Sequence, residues 1–428
     1  MREDIKERIE LIKKGCLPVG YKLINKVVLA WEFDCYKLGQ IFEFQNGINA
    51  EKQQFGRGIK IVGVSDVLSE HYIDYSSIKN SVDITNEQLE NYSVNYGDIL
   101  FQRSSESVDD VGSVNVYLDK TRVATFGGFV IRGKRKIDLN PIVLNEVLKM
   151  DYVRRQCMRY AAGVQHINIG QEALKKIWIS FPGEYEQKNI EKILSLYLRQ
   201  QLNVKNMIEY KQKQKTWLMQ NLVMGKRRLC NYTNEWEYVQ LKDIITEENE
   251  KTKQQNEYDI LSVTKSGICL QSEQFNKQIA SENNIGYKVV KKGNLVFSTM
   301  NLWMGSLDVL DKYDKGIVSP AYKVFSFQEN KMLPEFGKYY MKTAYMIWLY
   351  NMNSEQGAST VRKNLDLNSL LKTEVKIPSV KEQETISKIM EMADKEIELL
   401  KAKQDMIKRE KKAMMQLLLT GIVRGNEI

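Results

Sequence analysis

The sequence predicts an α+β protein with an internal pseudo-two-fold repeat, in which two α+β domains are joined by two long antiparallel coiled-coil helices. Three observations predict it. A block of sequence recurs 196 positions later, apolar residues in both copies keep a heptad rhythm, and short β-branched or aromatic runs fill the stretches between.

The repeat organises everything else. FPGEYEQKNIEKIL, at 181–194, returns as IPSVKEQETISKIM at 377–390. Pro182, Glu186, Gln187, Ile190, Lys192 and Ile193 reappear as Pro378, Glu382, Gln383, Ile386, Lys388 and Ile389. The match continues without a gap to Gly225 and Arg228, which answer to Gly421 and Arg424. Upstream, Asn168, Leu174 and Lys176 align with Asn364, Leu370 and Lys372, and GDILFQRS at 97–104 aligns with GNLVFSTM at 293–300. WEFDCYKLGQI (31–41) resembles WEYVQLKDI (236–244) in a slipped register. The expected order is an N-terminal helical segment (1–29), a first α+β domain (30–181), a central long helix (182–229), a second α+β domain (230–377) and a C-terminal long helix (378–428).

Within the domains, GDILFQRS, VGSVNVYLD, GGFVIRGK, YDILSVT, GNLVFST and SPAYKVFSF have strand composition and are bounded by Gly, Ser, Asn or Asp. LNEVLKMDYVRRQCMRYAAG and FGKYYMKTAYMIWLYNMNSEQG follow them and read as helical. Each domain is thus expected to place strands first and a helix before the long spacer.

The spacers carry apolar seams. Ile386, Ala393, Leu400, Ile407 and Met414 fall every seven residues, interleaved with Met390, Ile397, Gln404, Lys411 and Leu418. The first copy reads Ile190, Tyr197, Val204, Lys211, Leu218 and Leu194, Gln201, Ile208, Lys215, Leu222. A seam held for about five heptads is a coiled-coil signature, and about 36 helical residues span roughly 54 Å. The preceding proline, early glutamates and terminal glycine are start and stop signals. Lys and Gln inside the seam favour one register over others. Two related helices in one chain offer each other complementary seams, so an antiparallel pair is expected; the competing reading has each helix merely covering its own domain. Leu222, Leu417, Leu418 and Leu419 suit either closure of the pair or a surface for a partner.

Composition narrows the function. At 428 residues two domains are the default, and the 43% hydrophobic content suffices for sizeable cores. No apolar run reaches the roughly 18 residues of a membrane span, and MREDIKERIELIKKG is too charged for a signal peptide. A cytoplasmic protein with no membrane partner is the expectation. Five scattered cysteines without a CxxC pair, and only His71 and His166, argue against a disulfide framework and a metal site. A net charge of +9, from 63 Lys+Arg against 54 Asp+Glu, is compatible with a polyanionic partner without requiring one. Catalytic signatures are missing: there is no GxxxxGK[ST], no GxGxxG after a strand, no Asn-Pro-Pro-aromatic motif and no GxSxG. Asp109 and Asp110 read as a solvated turn and His166 as a structural polar residue. The chain reads as non-catalytic.

The duplicated Pro…Glu-Gln…Ile helices ending in Leu-Leu-x-Gly-x-x-Arg resemble the specificity subunit of type I restriction–modification systems. Pro182, Glu186, Gln187, Gly225, Arg228, Pro378, Glu382, Gln383, Gly421 and Arg424 carry the likeness. GDILF and the N-terminal IKERIELIKKGCLPVGYKL add to it, although QNLVMGKRR departs from the pattern where Leu-Thr-Gly becomes Val-Met-Gly. The resemblance implies two DNA target-recognition domains, each reading half of a split site in double-stranded DNA. It also implies helices that set the spacing and dock two modification (methyltransferase) subunits, with restriction/translocase subunits joining to cut. S-adenosylmethionine, ATP and Mg would then sit on those partners, with none bound by this chain. A non-catalytic coiled-coil scaffold with twin protein-binding domains is the alternative, and an enzyme with an unrecognised site a third reading.

Polar residues beyond a strand end are candidates for entering a DNA groove: Gln102, Arg103 and Ser104 after GDILF, and Ser298, Thr299 and Asn301 in the second half. Phosphate contacts, which position without specifying sequence, are assigned to Arg57, Lys60, Arg132, Lys134, Arg135, Lys265, Lys323, Arg362 and Lys363. Tyr322, beside Lys323, is a candidate for packing on sugar or base. The bland alternative for each charge is an exposed solubilising side chain.

Overall fold

The computed structural model describes residues 2–264, 267–274, 283–359 and 362–425, the side chains of 274, 356–359 and 362 excepted. The chain divides into two compact units, Met1–Asn203 with Gln404–Ile428, and Val204–Lys403.

The first unit opens with helix α1 (Glu3–Lys13). The segment expected to be helical to residue 29 stops there, because Gly15 and Gly20 take positive φ (+77° and +83°) and Pro18 lies between them. Residues 21–30 form a hairpin instead, Tyr21–Ile24 pairing with Val27–Ala30. The domain proper contains β1 (Asp34–Lys37), β2 (Phe42–Asn46), β3 (Ile99–Gln102), β4 (Val114–Val116), β5 (Val130–Arg135) and β6 (Trp178–Phe181). The central sheet is antiparallel in the order β2–β5–β3–β4. β1 pairs with β6, so the first and last strands of the domain close on each other. Helices α2 (Pro141–Leu148), α3 (Asp151–Tyr160) and α4 (Gln171–Lys176) complete it, and α5 (Glu184–Leu218) follows.

The second unit repeats this plan with β7 (Glu237–Gln240), β8 (Ile245–Glu248), β9 (Leu295–Ser298), β10 (Leu307–Val309), β11 (Tyr322–Phe327) and β12 (Glu374–Ile377). Its sheet has the order β8–β11–β9–β10, and β7 pairs with β12. Helices α6 (Pro334–Tyr340), α7 (Ala344–Met352) and α8 (Leu367–Lys372) precede α9 (Val380–Leu419). Each of the six runs with strand composition holds a strand. The two long helical runs instead break in the middle. Met150 is extended (φ −62°, ψ 143°) between α2 and α3, and Thr343 caps α7 by accepting from the Met346 amide.

The GDILF/GNLVF likeness has a geometric cause. Gly97 and Gly293 both sit at φ +86°, a conformation that favours glycine. The next residue closes a turn by accepting a backbone N–H three residues earlier: Asn95 to Asp98 Oδ2 at 2.9 Å, and Lys291 to Asn294 Oδ1 at 2.8 Å. Asp98 is buried, and that burial holds its carboxyl above the usual carboxylate range.

Both long helices present the predicted seam. Ile190, Leu194, Val204, Ile208 and Leu222 on the first, and Ile386, Met390, Ile397, Ile407 and Leu418 on the second, are buried. In the first unit Ile190 and Leu194 of α5 share one core with Met415, Leu418 and Leu419 of α9. In the second, Leu222 and Val223 just beyond α5 share a core with Ile386 and Met390 of α9. The start of one helix therefore meets the end of the other, which is the antiparallel arrangement. The seam lysines are paired: Lys211 with Glu396 at 2.8 Å, Lys215 with Asp394, and Lys411 with Glu146 at 3.5 Å. Leu222, Leu418 and Leu419 close these cores.

Candidate nucleic-acid interface

The repeated spacer residues come together as a clamp in each unit. In the second unit Arg228 donates Nε and Nη2 to the two carboxylate oxygens of Glu382, both at 2.8 Å. In the first, Arg424 Nε donates to Glu186 Oε1 at 2.8 Å, and the Gly425 amide to Glu186 Oε2 at 2.9 Å. Both glutamates are buried. Gly225 (φ +68°) and Gly421 (φ +74°) turn the chain so that each arginine reaches back, packed over Trp236 and Phe33 respectively. Gln187 and Gln383 come immediately after those glutamates. Each donates Nε2 to the carbonyl of its own proline, Pro182 or Pro378, at 2.9 Å. Each also accepts the amide at the head of the preceding helix, Asn140 at 3.2 Å or Leu333 at 2.9 Å.

The candidate reading residues of the first unit lie at the end of β3. Gln102 is buried and donates to the Ser104 carbonyl at 3.0 Å. Arg103 is half-buried; its backbone is held by the Phe129 carbonyl (2.8 Å) and the Ile169 amide (2.9 Å). Ser104 hydrogen-bonds Asn168 through its side chain, and Ser104–Ser105 pairs with Ile167–Asn168. Residues 162–166 are exposed beside this pairing, and Phe129 is 68% exposed. The resulting rim unites Arg103, Ser104, Phe129, His166 and Asn168. Phe129 and His166 were not singled out as readers. The signal lay in GGFVIRGK, where a large aromatic follows two glycines outside any alternating pattern.

The basic candidates divide. Lys134 is exposed; on the strand Phe55–Val62, exposed Arg57 pairs with Asp83 at 2.9 Å and half-buried Lys60 donates to the Lys79 carbonyl at 3.3 Å. Arg132 is buried, donating to Gln45 Oε1 at 2.6 Å and to the Ser93 carbonyl. Arg135 donates to the Gly97 carbonyl at 3.1 Å and to that of Leu139. These two arginines tie the sheet together.

In the second unit Ser298 is buried, while Thr299 and Asn301 are half-buried at the mouth of β9. Lys363 donates to Asn351 Oδ1 at 2.6 Å and lies 5.1 Å from the centroid of Trp303, two residues past Asn301. Tyr322 is half-buried and its hydroxyl is pushed up by burial. Lys323 pairs with Glu247 at 2.6 Å, a carboxylate shared with Lys288 at 3.5 Å. Lys265 and the Arg362 side chain lie outside the described residues. Among the described residues no group of three or more His, Cys, Asp or Glu could hold a metal ion, and no helix is long and apolar enough to cross a membrane.

The model of the type I restriction modification DNA specificity domain matches twice, over residues 31–210 and 233–409. The chain belongs to the type I restriction–modification DNA specificity family. Its function is that of a specificity subunit with two DNA-recognition domains. Two relatives in Methanocaldococcus jannaschii are similar along almost their whole length. The putative type I restriction enzyme MjaX specificity subunit is 25% identical over 94% of this chain and 95% of its own. The MjaVIII specificity subunit is 22% identical over 95% and 96%. A solved structure from work on complex assembly and conformational transition of the type I R–M system shares the fold, with a TM-score of 0.56 at 14% identity. It covers 94% of this chain and 99% of its own. The two specificity-domain matches each take in one central sheet and run into the long helix that follows it.

Proposed function

We propose that each specificity domain reads one half of a bipartite site in duplex DNA, using the rim at the end of β3 in one and the mouth of β9 in the other. The observation that carries this reading is the recurrence of one four-stranded sheet with different side chains at its open end. Gln102-Arg103-Ser104 stands in the first copy and Ser298-Thr299-Met300 in the second. A shared frame with unlike reading residues yields an asymmetric target, since each good bidentate base contact is worth roughly 1–3 kcal/mol. Of the phosphate candidates, Arg57 and Lys134 are exposed and Lys60 and Lys363 half-buried, so these four keep access to solvent. Arg132 and Arg135 serve the fold.

The long helices set the half-site separation and dock two modification subunits, and a restriction subunit joins that assembly. Methyl transfer with S-adenosylmethionine and ATP- and Mg-dependent cleavage belong to those partners; this chain catalyses neither. An exposed apolar face supports the docking. Met207, Tyr210 and Trp217 on α5 are 48%, 65% and 45% exposed, and Met392 and Leu399 on α9 are 64% and 61% exposed. Tyr210 to Trp217 and Met392 to Leu399 are one heptad apart, on the side away from the seam. Such a solvent-facing stripe marks an interaction surface. The test is co-purification with the modification subunits. Trp217→Glu with Met392→Glu should abolish it and leave the thermal transition of the free chain unchanged; undiminished co-purification would refute the docking face.

A further inference from the structure

The first unit holds a groove that the rim does not use. Its cavity, about 510 Å³, lies between α3 and the tip of the 21–30 hairpin. Its floor is the stacked pair Tyr152 and Trp178, with ring centroids 5.0 Å apart. Gln156 fixes Trp178 in place by donating to its carbonyl at 3.0 Å and accepting its amide at 3.1 Å. Three exposed cations, Lys26, Arg155 and Arg159, line the walls. Among the described residues none of the three has an ion-pair partner, whereas many other basic residues of this unit are paired.

Two further features mark these charges as more than solubilising. Lys26 sits at φ +68° after Asn25 at +48°, in the two-residue turn of the hairpin. Glycine is the unstrained choice at that second position, so the turn carries strain in order to present a lysine. Arg155 and Arg159 are one helical turn apart, about 6 Å at Cβ, and face the same side. Counted from the helix start, the same positions of α7 in the second unit hold Trp348 and Met352, 54% and 64% exposed. The basic face is therefore particular to this unit, not a general feature of the repeat. α3 also leads through Ala161 directly into the exposed 162–166 loop and the Ile167–Asn168 strand of the rim.

We propose that Lys26, Arg155 and Arg159 grip backbone phosphates of the duplex flanking the half-site read by this domain. The proposal rests on the reading that the rim beside them meets DNA. The grip adds affinity without sequence information, as phosphate contacts do.

The experiment uses the full chain assembled with its modification subunits and measures duplex affinity against salt. Each phosphate contact contributes about 0.9 to the log–log slope. Arg155→Ala with Arg159→Ala should thus lower the slope by about 2 and weaken target and scrambled duplexes by the same factor. Lys26→Gly, which also relieves the turn, should lower it by about 1. Both losses should vanish on a duplex trimmed to the edge of the half-site. An unchanged slope overturns the proposal. So does loss of the modification subunits from the double variant without DNA, which would make the groove a peptide site. Competition by inorganic phosphate beyond that of chloride at equal ionic strength, absent in the variant, would make it a free-anion site and also overturn it. The slope is read on scrambled DNA, so absence of any sequence preference in the wild type would sink the reading function and leave this test standing.

Discussion

Arg228 and Glu382 lie 154 residues apart and meet through two parallel hydrogen bonds of 2.8 Å, a bidentate pair in which the carboxylate is almost wholly buried. Arg424 and Glu186 repeat the relationship in the other unit. Each pair joins the glutamate at the head of one long helix to the arginine past the end of the other. The duplicated Glu-Gln and Gly-x-x-Arg motifs are halves of two reciprocal clamps.

Removing one partner leaves a buried charge alone, which costs roughly 3–5 kcal/mol. Arg228→Met, which strands the buried Glu382 carboxylate, should therefore lower the stability of the second unit far more than Lys388→Ala, whose pair with Glu384 is exposed and screened by solvent. Denaturant unfolding of both variants, with Glu382→Leu and the Arg228→Met/Glu382→Leu double variant closing the cycle, checks this. The double variant should recover part of the loss.

The clamp depends on the turn before it. An added Cβ at Gly225 would sit 2.8 Å from the Trp236 ring, and the residue's φ is +68°. Gly225→Ala should cost at least about 1–3 kcal/mol. Gly183, where a Cβ meets nothing within 4 Å, is the control and should shift stability by less than about 0.5 kcal/mol. Thermal unfolding compares the two.

Asp98 predicts a pH dependence. Burial raises its folded pKa above the ordinary 3.8, so the neutral form is favoured in the fold. Its contribution is then fully present below the unfolded pKa and is lost as pH rises through the folded one. Asp98→Asn, the residue that the second unit carries at Asn294, keeps the turn and removes the titration. Its stability advantage over the wild type should be smallest in acid and grow to a plateau towards neutral pH. Urea midpoints across that range test the sign; an advantage that shrinks with rising pH would refute it.

The helices and the doubled architecture were legible because heptad spacing and a constant offset are properties of one dimension. Partnership across copies was not. A repeat shows that Glu186 and Glu382 are alike, but only the antiparallel packing reveals that Glu186 belongs with Arg424 and not with Arg228. The same limit applied at the candidate interface. Gln102 and Arg132 follow the pattern of exposed polar residues near strand ends, yet the sheet buries both and turns their donors inward to Ser104, Gln45 and Ser93. Their burial depends on neighbours 39 to 87 positions away in the case of Arg132, which no local pattern encodes.

The spacer has a mechanical consequence. Seven residues inserted at matching positions of α5 and α9 lengthen each by about 10 Å while keeping the seam in phase. At 3.4 Å per base pair, the preferred gap between half-sites should widen by roughly three base pairs. Selection from duplexes of graded gap length reads the shift. An insertion in α5 alone should weaken the pairing instead.

The most direct measurement is selection of bound sequences from a randomised duplex library by the assembled complex. It compares the wild type with Arg103→Ala/Ser104→Ala and with Thr299→Ala/Asn301→Ala. Twin readers predict a split motif with a degenerate gap, the first pair of substitutions relaxing one half only and the second pair the other. A single unbroken motif, or both halves relaxing together under either pair, would contradict it.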